Sequence, residues 1–148
     1  MAVDIAPTTP RLVGTSGRAG LLRVGITAFV AYHLGLALLM AAAPHTFFEL
    51  IGPFDAYNGH YIRDTATFEA AIGAALLISL RRPAWRAPVL GLATIQFALH
   101  SVNHLLDIGD AHPAWTGYAD FFSLAAFTLM LGWLWLQAHR QARRLPGA

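Results

Sequence analysis

The sequence predicts an all-α integral membrane protein: a four-helix bundle with both termini in the cytoplasm and a short interfacial segment in its first outer loop. Three observations predict it. Charged residues are 12% of the 148 and hydrophobic ones 56%, about half the charge of a soluble domain. Four apolar stretches approach the ~20 residues that cross a bilayer core as a helix. The arginines and the acids sit at opposite ends of those stretches.

Residues 1–20 hold Pro, Gly, Thr and Ser with little periodicity and read as a mobile tail. The bundle proper is expected over 21–140. Its first span runs from about 21 to 43, through Leu36-Ala37-Leu38-Leu39-Met40. Ala41-Ala42-Ala43 resembles a cleavage site, but the run before it exceeds the apolar core of a signal peptide, so this is a retained span. The loop to His60 carries Phe47, Phe48, Phe54 and Tyr57. Pro44 suits the first position of a short helix that Gly52-Pro53 ends, and its aromatic rings suit the membrane interface. The second span, about 61–80, is apolar from Ala70 to Leu80 and polar in its outer half. Ala66, Ala70 and Ala74, with Gly73 beside them, offer a small-residue face for close helix contact. The third span runs from about 88 to 107 and the fourth from about 117 to 138. Residues 141–148 read as a second tail.

Arginine placement sets the orientation. Arg11, Arg18 and Arg23 precede the first span, Arg81, Arg82 and Arg86 separate the second from the third, and Arg140, Arg143 and Arg144 follow the fourth. Only Arg63 lies elsewhere. The positive-inside rule places that side in the cytoplasm. All the acids but Asp4 fall on the other side or in the outer halves of the spans. Basicity so distributed argues against a nucleic-acid surface. With no cysteine in the chain, disulfides, thiolate metal sites and thiol nucleophiles are excluded. No nucleophile elbow, phosphate loop or dinucleotide fingerprint is present, so no catalytic residue is assigned.

The chemistry-bearing residues concentrate in the third span. At about 100° per residue, Gln96, His100, Asn103, His104 and Asp107 fall on one stripe. Ionisable groups at membrane depth are costly and normally face a protein interior or a wet cavity. The other spans supply His33, then His60, Asp64 and Glu69, then Asp120 with Ser123 one turn deeper. In this topology all lie in the outer half and are expected to converge. His100 and His104, at i and i+4, are spaced to ligate one metal ion. Asp107, His60, Asp64 and Glu69 are candidates for further ligands, with Gln96, Asn103 and Asp120 behind them. Histidine and carboxylate without sulfur suit zinc, iron, manganese or copper. A haem is the other cofactor expectation, held by facing imidazoles from His33 and His100 or His104.

Plainer readings stand beside these. His33 alone suits a buried histidine bonded to a neighbouring helix. Arg63 suits an interfacial ion pair with Asp64 or Glu69. Asp110 and His112 suit a solvated turn, and Asp120 suits the positive end of a helix dipole. The third-span stripe suits an interhelical hydrogen-bond seam of about 0.6–2 kcal/mol per contact.

The four-span layout, the arginine-bearing N-terminal approach and the aromatic outer loop leading into His60-Tyr61-Ile62-Arg63-Asp64 resemble the small bacterial four-helix membrane proteins of the DoxX-like group. The resemblance implies the fold, in a group where some members are tied to quinone-linked redox chemistry. It assigns no functional residue here. The leading expectation is a multi-pass cell-membrane protein whose extracytoplasmic polar pocket binds a metal ion or haem in a redox role. The alternatives are a proton or small-solute relay, and an accessory subunit whose polar stripe packs on a larger membrane partner or a second copy.

Overall fold

The computed structural model describes residues 15–143. Five α-helices account for most of them: α1 (Thr15–Ala42), α2 (Pro44–Leu50), α3 (Gly59–Arg81), α4 (Arg86–Leu106) and α5 (Ala114–Ala142), with a 3₁₀ turn at Pro83–Trp85 before α4. Among the described residues there is no β-strand, only an isolated antiparallel bridge between Phe54 and Ala111.

Proline and a cap set the boundaries. Ala43, before Pro44, leaves the helical region at φ −137°, which ends α1. Pro44 then opens α2 at a position whose amide would have no helical partner. The Asn58 side chain accepts from the His60 and Tyr61 amides at 3.1 and 3.3 Å and starts α3. Arg82, before Pro83, is extended and ends α3.

Three segments are long and apolar enough to cross a membrane: Gly17–Ala42, Pro83–Leu106 and Ala114–Ala142. The 23-residue α3 is about 34 Å long at 1.5 Å per residue, enough to cross. Its polar outer half, His60 to Glu69, keeps it out of that class. The helices also outrun the expected spans. Thr15–Gly20, read from sequence as tail, is the first turns of α1, and α5 begins at Ala114, three residues before the expected 117, and continues through Gln141 and Ala142. The rest of the two expected tails, 1–14 and 144–148, lies outside the described residues.

α1 packs chiefly on α3, and α4 chiefly on α5, while the α3–α4 seam is thin. On α3 the buried positions are Ala66, Glu69, Gly73, Leu76 and Ser79. The small-residue face is therefore narrower than expected: Ala74 is exposed, and the close approach is at Gly73, where a Cβ would lie 2.7 Å from Leu34 Cδ2. Leu22, Ile26, Leu76, Leu90, Leu131 and Leu134 fill the inner core. Above them Phe29, Tyr32, Phe97 and Phe127 stack largely edge to face, with centroids 5.2 to 6.5 Å apart, a favoured aromatic geometry.

Each end is tied. At the end where α3 turns into α4, the buried Arg86 donates from Nε to the Ser79 carbonyl at 3.1 Å, from Nη2 to the Leu80 carbonyl at 3.4 Å and from Nη1 to Gln141 Oε1 at 3.0 Å. It thus joins α3, α4 and α5. At the opposite end the His112 amide donates to the Pro53 carbonyl at 3.2 Å beside the Phe54–Ala111 bridge. The loop after α2 is thereby pinned over the α4–α5 turn. Gly117 lets the α4–α5 turn fold against the start of α5: a Cβ there would stand 2.2 Å from the Ile108 carbonyl oxygen.

Candidate functional site

The half of the bundle nearest the α4–α5 turn holds a pocket of about 250 Å³, bounded by α1, α4, α5 and the segment around α2. Its polar groups are Tyr32 from α1, His100 and His104 from α4, and Asp120 and Ser123 from α5; Phe47, Phe54 and Phe127 are among its apolar walls. The helical i, i+4 spacing brings the two α4 imidazoles together. Their Nε2 atoms are 3.0 Å apart and their ring centroids 4.7 Å. Phe54 stands edge-on to His104 at 5.0 Å and 87°, so the outer loop that the aromatics mark in the sequence folds back as a wall of the pocket.

Two atoms bordering this pocket are buried without a hydrogen-bond partner: Nδ1 of His104 and Oδ2 of Asp120. A buried polar group normally finds a partner, since leaving one unmade costs about 1–3 kcal/mol. Asp120 is the seventh residue of α5, past the first turn over which a helix dipole acts. The dipole reading of this residue therefore gives way to its place in the pocket.

His33 and Glu69 form a separate centre. His33 Nδ1 lies 2.6 Å from Glu69 Oε2, with the imidazole fully buried and the carboxylate side chain 9% exposed. Phe29, Tyr32 and Phe97 surround the ring at centroid distances of 6.3, 5.3 and 5.6 Å, and Nε2 has no partner. An axial haem ligand needs open space along its coordinating nitrogen for a macrocycle. His33 has an aromatic box there, so the expected pairing of His33 with His100 or His104 across a haem does not fit this packing. The reading of His33 as a buried histidine bonded to a neighbouring helix matches it.

The remaining expected site residues do not converge on the pocket. His60 and Asp64 face each other at 3.4 Å on the surface of α3, with side chains 80% and 57% exposed. Asn103 Nδ2 donates to Asp107 Oδ2 at 3.3 Å where α4 ends. Gln96 lines a different cavity, a groove between α3 and α4 that also receives Glu69. Arg63 donates to the Gly59 carbonyl at 3.3 Å rather than pairing with Asp64 or Glu69. The third-span stripe covers about 100° of arc, too wide for one neighbour. Gln96 turns to α3, the His104 edge turns to α5, and Asn103, at the opposite edge beyond Gln96, is exposed.

Among the described residues no three His, Asp or Glu side chains are grouped to hold a metal ion. The six-residue ligand set of His100, His104, Asp107, His60, Asp64 and Glu69 is thus distributed over four places, and the histidine pair of α4 is the part that stays together in a pocket. Sequence reasoning passed over Phe47 and Phe54 as pocket residues. The Gly52-Pro53 break was the available signal, because it ends α2 where the chain must turn back over the bundle.

No family model, no curated protein and no solved structure matches the chain.

Proposed function

We propose that the chain is a four-span integral membrane protein with both termini cytoplasmic, and that its extracytoplasmic pocket binds one transition-metal ion through His100 and His104, in a membrane redox role. The carrying observation is the 3.0 Å between the two Nε2 atoms. Two imidazole nitrogens at metal distances of about 2.0–2.1 Å, with an angle near 90–110°, lie about 2.9–3.3 Å apart. The unpartnered Asp120 oxygen supplies an acid on the facing helix that orients an imidazole or a bound water. Zinc, iron, copper and manganese all accept such donors. Two protein ligands leave the other positions of the ion to solvent or to a small molecule entering the pocket.

A second reading rests on the same distance. If one ring donates N–H to the other, the pair is a hydrogen bond, and with Asp120 it forms a relay for protons. Cobalt(II) titration of the purified protein separates the two. The metal reading expects one ion per chain with a visible absorption band, lost in His100→Ala/His104→Ala and weakened about 10- to 100-fold in Asp120→Asn. Cobalt binding unchanged in the double variant, or absent from folded wild-type protein, overturns it.

A further inference from the structure

The second cavity, between α3 and α4, has about 520 Å³, within the ~300–1,000 Å³ of small-molecule sites. It exists because α3 commits to α1 and α4 to α5, which leaves the seam between the pairs thin. Its walls are apolar, with Phe68 and Leu92 69% and 61% exposed at its rim, a composition suited to a groove open to lipid. Three polar side chains reach it: Thr65, Glu69 and Gln96. The Thr65 hydroxyl is already spent on the Tyr61 carbonyl at 2.9 Å. Gln96 Oε1 is buried with no partner. Of the two Glu69 oxygens, only Oε2 is bonded, to His33. No basic side chain lines the cavity.

His33 occupies one oxygen of Glu69 and leaves Oε1 without a partner. With Gln96 Oε1, the groove presents an acid and an amide oxygen at the floor of an apolar slot, and a cationic N–H donor makes the strongest hydrogen bonds to such acceptors.

We infer that the α3–α4 groove binds a lipophilic ammonium, its cationic head on Glu69 and Gln96 and its apolar body along Phe68 and Leu92. The site uses neither His100, His104 nor Asp120, so it stands or falls apart from the metal reading. The test is binding of 1-pyrenemethylammonium to the protein in phosphatidylcholine nanodiscs, with empty nanodiscs subtracted and the neutral 1-pyrenemethanol as comparison. The expected result is saturable binding of one ammonium per chain, at least tenfold tighter than the alcohol, and weakened at least tenfold in Glu69→Gln. Ala71→Trp, which fills the slot from the exposed face of α3 without touching the His33–Glu69 pair, abolishes binding and leaves thermal stability unchanged. Should Glu69→Gln fail to fold, Ala71→Trp and Gln96→Leu decide. Equal affinity for amine and alcohol, wild-type affinity in Ala71→Trp, or an Ala71→Cys variant that crosslinks into dimers through this face overturns the inference, the last by seating a second copy there.

Discussion

Replacing His33 by Phe keeps a flat ring of similar shape and removes the one hydrogen-bond partner that the Glu69 carboxyl has among the described residues. The pair spans 36 residues of sequence at 2.6 Å, with the imidazole fully buried and Glu69 6% exposed. Neither partner can turn to bulk water when the other is lost. Removing one member of such a pair costs about 3–5 kcal/mol. At 2–4 °C per kcal/mol for a chain of this size, the midpoint of thermal unfolding falls by about 6–20 °C. The same physics predicts a rescue. With His33→Phe/Glu69→Leu both polar groups are gone and apolar ones fill the space, an exchange that is often neutral, so the double variant recovers at least half of the loss. The assay is a thermal melt in detergent, followed by the fluorescence of the four tryptophans. A His33→Phe variant as stable as wild type, or a double variant no better than Glu69→Leu alone, refutes the claim that the pair's mutual satisfaction holds α1 to α3.

Two further outcomes are expected. Arg86→Met, which strips three hydrogen bonds from a buried guanidinium, lowers stability by about 2–4 kcal/mol, while Arg81→Met and Arg82→Met on the exposed neighbours change it by about 0.5 kcal/mol or less; equal melts for all three would remove Arg86 as the inner tie. For orientation, the chain has no cysteine of its own, so single cysteines at Asp55, Asp110 and Arg82 report sides cleanly. A membrane-impermeant maleimide on intact cells labels the first two and spares the third; labelling at Arg82 would reverse the proposed topology.

Helix existence was legible in the sequence because its signals are local. Apolar runs of bilayer length and Pro44 as the opening of a short helix each act within a few residues, and Pro44 marks an observed boundary, whereas Asn58 and Pro83, which bound α3, were not used. Partnership was not local. Nothing near His33 says that its acid lies at Glu69 rather than Asp120; the choice follows from Gly73, which lets α3 close on His33 and Leu34. Arg86 shows the same limit from the other direction. By position it belongs with Arg81 and Arg82 as a cytoplasmic charge, yet the 3₁₀ turn after Pro83 places it at the first residue of α4, where it is buried and bonded rather than solvated.

The two histidine centres differ in a way that bears on what each can do. His33 has its Nδ1 committed to Glu69 in an aromatic box, and a group so fixed positions its neighbours. His100 and His104 have only each other, at a distance that suits either a shared proton or a shared ion, beside an unpartnered acid and next to open volume. A hydrogen bond that ties two helices rigidifies them, while unpartnered polar atoms beside a cavity invite a ligand. The polar residues that the third span gathers on one stripe are therefore divided by the fold: Gln96 goes with Glu69 in the α3–α4 groove, and the histidine pair goes with Asp120 in the other pocket.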